Sequence, residues 1–237
     1  MTKNTQTTLF STSLITAFFF ALNISTAAQA QQARKGPPPA PDPLPMGFFV
    51  TSEGLGDGAN LGGLEGADAH CQELASKVGS GNRTWRAYLS TQGSASSKPI
   101  NAIDRIGVGP WGNAKGITIA KDINSLLYDN SNINYEHALT EKGNKVNSRV
   151  AGDQPNKHDI LTGTQLDGTA FPTGEDMTCN NWTSNSDDNK AQVGHADRHR
   201  FIFPGSPWNA AHASRGCSQK ALEGSGGAGL FYCFAAD

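Results

Sequence analysis

The chain has 237 residues, with 19 Lys and Arg set against 21 Asp and Glu for a formal net charge of −2. That near-balance offers no general attraction to nucleic acid or anionic lipid and argues against both as partners. Only 17% of residues are charged while 27 are glycine, which suits a loop-rich fold held by turns rather than one of long helices.

Residues 1–30 read as an export signal, with Lys3 in a short polar start, an apolar run from Leu14 to Ile24, and Ala28-Gln29-Ala30 as a small-residue cleavage site. The run is too short to span a bilayer, which takes about 20 apolar residues, so no membrane span is expected in the mature chain. Residues 31–46 (QQARKGPPPAPDPLPM) form a proline-rich linker favouring extended polyproline conformation. A single domain is expected over 47–237, long enough to bury a sizeable core.

GFFVTSEG has the β-branched and aromatic content of an opening strand, and GLGDGANLGG marks a loop. In LEGADAHCQELASKVG, residues Ala67, Cys71, Leu74, Ala75 and Val78 recur at helical spacing, with Gly79 as the stop. RTWRAYLS alternates as a strand does, with Trp85, Ala87 and Leu89 opposed to Arg86 and Tyr88. Further on, GITIA reads as a short strand, KDINSLLYD as a short helical piece, and Asp167-Gly168 as a turn. The stretch beyond, up to Trp208, has long-loop composition, and long loops in compact domains are often functional. LFYCF, apolar on both faces, reads as a central buried strand.

The four cysteines, Cys71, Cys179, Cys217 and Cys233, form an even set behind an export signal, which points to disulfides. Four cysteines permit three pairings, and their positions alone do not choose among them.

The stretch EGLGDGANLGGLEGADAHCQELASKVGSGNRTWRAYLST, then AIDRIG with GITIAKDINSLLYD, LTGTQLDG leading to Cys179-Asn180-Asn181-Trp182, and a final GCSQ…LFYCF together resemble the endostatin-like domain, a divergent member of the C-type lectin-like fold. The resemblance covers most of 47–237, with gaps in the middle. It implies an α+β scaffold of two short helices, antiparallel strands and long loops. It also implies nested disulfides, Cys71 with Cys233 outside and Cys179 with Cys217 inside.

The family's ligand sites carry over poorly. Lectin-type calcium needs a Trp-Asn-Asp triplet, and here Ala210 follows Trp208-Asn209 where the acid belongs. Gln154-Pro155-Asn156 looks like the family's other calcium triplet but lies far before Cys179. Calcium, which prefers six to eight oxygens, is the one cofactor left open. Endostatin's zinc does not transfer, because residues 31–69 hold no histidine.

Candidate ligand-binding residues gather around the inner cysteines: Asn181, Trp182, Asp187, Asp188, His195, Asp197, Trp208 and Asn209. Indole faces beside Asn side chains suit a sugar, the alternative being that both indoles pack in the core. Asp187, Asp188, His195 and Asp197 combine oxygen and imidazole donors, but no histidine pair stands at zinc-protease spacing, so the reading is a solvated loop with no metal ligand assigned. His158-Asp159 and His212 with Ser214 read as surface or turn residues rather than parts of a triad.

The expected function is a non-catalytic, secreted or periplasmic lectin-like module for extracellular glycan, matrix or a cell-surface protein. A structural or protein-interaction domain without sugar binding is the alternative. A third reading is a metal-dependent hydrolase using the His195 and Asp197 region.

Overall fold

The computed structural model describes residues 42–127, 131–199 and 206–237. The expected export signal and the linker up to residue 41 lie outside the described residues. In chain order the strands are β1 (Phe48–Val50), β2 (Trp85–Ala87), β3 (Trp111–Gly112), β4 (Thr118–Ala120), β5 (Asp159–Leu161), β6 (Gln192–His195), β7 (His212–Ala213) and β8 (Gly227–Ala235). The helical segments are α1 (Gly63–Lys77), α2 (Ile123–Leu126), α3 (Cys179–Trp182) and α4 (Gln219–Ser225), a mixed α+β architecture. Among the described residues, no helix is long and apolar enough to cross a membrane.

Strand β8 organises the sheet. Successive side chains on a strand point to opposite faces, so Phe231, Cys233 and Ala235 enter one buried cluster while Leu230, Tyr232 and Phe234 enter another. With both faces covered, β8 is the central strand that LFYCF suggests. It pairs antiparallel with β1 and β2 and parallel with β5. Beyond β5, the antiparallel strands β6 and β7 complete the order, and β3 pairs with β4 in a separate two-stranded ribbon.

Helix α1 lies on the first cluster through Ala67, Cys71, Leu74 and Ala75. Val78, expected on the same face, is 37% exposed, because it caps the helix with a non-helical ψ of 15° and its side chain leaves the stripe. Gly79 follows at a φ of 81°, the left-handed conformation that ends many helices. The Cys71–Cys233 bridge, with Cα atoms 5.7 Å apart, fastens α1 to β8. Cys179 bonds Cys217, so the nested pairing holds.

Three expectations need correction. Met46, placed in the linker, bridges Gly112, and Leu44 donates its N–H to the Gly116 carbonyl, so the last linker residues belong to the domain. Four helical segments, of which α3 is left-handed, and a 3-10 turn at Ala102–Arg105 stand among the described residues rather than two short helices, and α1 is long at 15 residues. The stretch read as loop before Trp208 contains β6, and β5 was not expected. Both are too short to display a period, and they form because each finds a partner in the sheet.

Segment α3 is a left-handed turn, its four residues from Cys179 to Trp182 having φ between 50° and 67°. Non-glycine residues resist this conformation by about 1–2 kcal/mol each. Asn181 N–H donates to the Thr178 hydroxyl and Asn180 N–H to Asp176, and the inner disulfide anchors Cys179.

Candidate metal centre

The register of three strands sets the site. Asp159 on β5 lies directly opposite His195 on β6, and His212 on β7 lies opposite Val193. Side chains opposite each other across a ladder share a face, as do residues two apart along a strand. Asp159, His195 and His212 therefore project to one side of the sheet, and His158 joins them from just ahead of β5.

Three imidazoles converge on a single carboxylate oxygen. Asp159 Oδ1 is 3.2 Å from His158 Nε2, 3.4 Å from His195 Nε2 and 3.5 Å from His212 Nε2. The His158 and His195 rings stack at 4.4 Å between centroids, and His212 meets His195 edge-on at 5.0 Å. His158, Asp159 and His195 offer ligand atoms all within 4.8 Å of one another. Gly226, at the C-cap of α4, keeps the space clear: a Cβ there would stand 3.3 Å from His158 Nε2 and 2.8 Å from Asn156 Nδ2.

Each ring is oriented from behind. His158 Nδ1 is 2.7 Å from Asp197 Oδ1, His195 Nδ1 meets the Ser206 hydroxyl, and His212 Nδ1 is 3.0 Å from the Ala213 carbonyl. A carboxylate or carbonyl can only accept, so the Nδ1 atoms of His158 and His212 carry a proton, and each ring in its neutral form presents a lone pair at Nε2. The centre thus gathers acceptors facing acceptors. Asp159 is 2% exposed, and neither of its oxygens nor His195 Nε2 has a well-aimed hydrogen bond among the described residues. Such an arrangement calls for a cation, either protons or a metal ion.

The electrostatics agree. Burial pushes the Asp159 carboxyl up, but the imidazoles of His195, His212 and His158 around it outweigh that and hold it at about 2. Burial also raises Asp197, yet the His158 contact and the Ser148 and Val150 donors leave it below the ordinary carboxylate range. The facing Asp159 carboxylate lifts His212 above its ordinary value against partial burial.

Three of the donors have the dimensions of a transition-metal site. Ligand atoms about 2.0–2.1 Å from a tetrahedral zinc lie about 3.3 Å from one another; the separations from Asp159 Oδ1 are 3.2, 3.4 and 3.5 Å, and His158, Asp159 and His195 form the group whose ligand atoms all lie within 4.8 Å, with His212 outside it at the rim. A histidine ligand whose other ring nitrogen is held by a carboxylate or carbonyl is the usual outer-shell arrangement. Three imidazoles and one carboxylate suit zinc and its first-row neighbours; calcium asks for more oxygens. No protein-family model matches this chain, and no curated protein matches it.

Of the residues singled out from sequence, His195 and Asp197 belong to this centre, one in the ring of donors and one behind it. The rest lie elsewhere. Trp182 and Trp208 are fully buried, their indole N–H groups donating to the Ser90 and Leu126 carbonyls, so neither offers an exposed stacking platform. Trp208 packs against Tyr88, Tyr232 and Phe234. Asn209 is buried as well, donating to Tyr88 Oη and to the Gln165 and Leu166 carbonyls. Half-buried Asn181 accepts from Gln92 N–H. Asp187 takes the Ser218 N–H at the start of α4, and exposed Asp188 bonds Ser186.

The donors that the sequence reading set aside are His158, Asp159 and His212. His158 is 6% exposed, not a surface histidine. The signal open to a reader was histidine beside acid at two places, His158-Asp159 and His195-Ala196-Asp197. Pairing them required the register of β5 and β6.

Proposed function

We propose that the chain is an exported binding domain that holds one zinc-class divalent ion through His158, Asp159, His195 and His212 and presents it to an extracellular ligand. The observation that carries this reading is the approach of three Nε2 atoms to within 3.5 Å of one buried carboxylate oxygen. The two disulfides favour an oxidising, secreted or periplasmic setting. Their nesting and the sequence resemblance support a C-type lectin-like scaffold of the endostatin type. That resemblance also supports an extracellular glycan or matrix component as the ligand, bound without chemical conversion. With both tryptophans buried, recognition passes to the ion and the surface around it.

The test is metal uptake by the chelator-stripped chain. One equivalent of zinc is expected to bind and raise the melting temperature, as any ligand specific for the folded state does, while calcium has no such effect. His195→Ala is expected to lose that response. Absence of zinc and cobalt uptake, or equal uptake by His195→Ala, would overturn the metal reading. A glycan array probed with and without chelator then tests the ligand class.

A further inference from the structure

The four donors are unequal. Asp159 has 1% of its side chain exposed, His158 7% and His195 18%, whereas His212 has 43%. The first two flank the parallel junction of β5 with the central strand, and His195 ends β6, which is paired on both sides. His212 sits on a two-residue strand at the sheet edge, and the groups holding its ring are Asp159 itself and the adjacent Ala213 carbonyl. Three donors are thus fixed by the fold, and the fourth stands in solvent on a short edge.

Resting on the metal reading above, we infer that His212 is an exchangeable ligand, displaced from the ion by a carboxylate of the molecule the domain recognises. A site with four protein ligands is closed, while one with three leaves a position for an incoming group. Departure of His212 converts the first kind into the second without disturbing a buried residue. Charge selects the newcomer. A divalent ion with one anionic ligand, Asp159, and neutral imidazoles keeps a net charge of +1. The Asp197 charge behind it is taken up by His158, Ser148 Oγ and the Arg149 and Val150 N–H groups. An anionic oxygen donor arriving from the solvent side neutralises the remainder.

Cobalt(II)-loaded full chain reports the exchange, because its visible absorption follows the ligand set and coordination number. Acetate is expected to change the wild-type spectrum saturably, and glucose, which lacks a carboxylate, to leave it unaltered. His212→Ala is expected to keep one equivalent of cobalt, with reduced affinity. Its spectrum should already differ from wild type, and acetate should bind it more tightly. Circular dichroism checks that the variant is folded. A wild-type cobalt spectrum indifferent to acetate, or a folded His212→Ala that loses the metal as completely as His195→Ala, would overturn the inference and leave the metal reading standing. Failure of the wild type to take up cobalt or zinc overturns both.

Discussion

Nδ1 of His158 stands 2.7 Å from Oδ1 of Asp197, and Oδ2 of the same carboxylate accepts from Ser148 Oγ and Arg149 N–H. One side chain therefore fixes a donor ring and fastens the loop beside it. Asp197→Asn keeps the shape and one acceptor for the loop, but its amide hydrogens cannot accept from Nδ1. The His158 proton is then driven toward Nε2, where a metal would bind. Zinc affinity is expected to fall about 10–100-fold with the fold retained, measured by competition with a chromogenic chelator. Undiminished affinity would remove Asp197 from its orienting role.

Asp159 gives the metal-free chain an acid limb. Its carboxyl falls from an ordinary 3.8 to about 2 on folding, so the unfolded chain binds the proton more readily. The stabilisation is complete above the unfolded value and is lost as pH falls from about 4 to about 2. His212 is shifted upward, and its contribution, present below its unfolded value near 6.5, fades as pH rises through the folded one. Urea midpoints of chelator-treated protein should drop between pH 4 and 2, and Asp159→Asn should flatten that drop. Parallel profiles for the two proteins would contradict this assignment.

Gly194 precedes His195 on β6, opposite Ile160 of β5, in a place where only hydrogen fits. A Cβ there would come 1.8 Å from the Trp208 carbonyl oxygen, a backbone atom that cannot rotate aside. Gly194→Ala must push β6 away from the Trp208 segment, and a loss of about 3 kcal/mol is expected from such overpacking. Because His195 is the next residue, weaker zinc binding should accompany the lower urea midpoint. A variant as stable as wild type would show that this backbone crossing is looser than described.

The inner bridge closes a separation of 38 residues, for which chain entropy gives about 4 kcal/mol. Replacing Cys179 and Cys217 together by Ser should lower the melting temperature by about 10 °C, at 2–4 °C per kcal/mol for a domain of this size. Relaxation of the left-handed turn at Cys179 to Trp182 offsets part of the loss. Scanning calorimetry of the two proteins decides the matter, and an unchanged melting temperature would mean that the bridge adds nothing to the fold.

Much of the frame could be read from the residues. Helix α1 announces itself because four apolar side chains recur at helical spacing from Ala67 to Ala75, and β8 because an apolar run on both faces needs cover on either side. The centre could not be read in the same way. Its donors come from three separate stretches of chain and meet through the register of strands of two to four residues, too short for periodicity to reveal. Trp182 and Trp208 misled for a related reason: an indole beside asparagine looks the same in sequence whether it faces a sugar or the core, and here Ser90, Leu126 and the surrounding aromatics settle it.

The strand on which the whole sheet depends comes last in chain order. Phe48 pairs with Phe234, Trp85 with Ala235 and Asp159 with Gly227, so β1, β2 and β5 lack their common partner until the final stretch has been made. Contacts so distant along the chain slow folding. A domain built this way stays without its central strand for nearly the whole of its synthesis, and the outer disulfide, which joins α1 to that strand, can close only when the chain is all but finished.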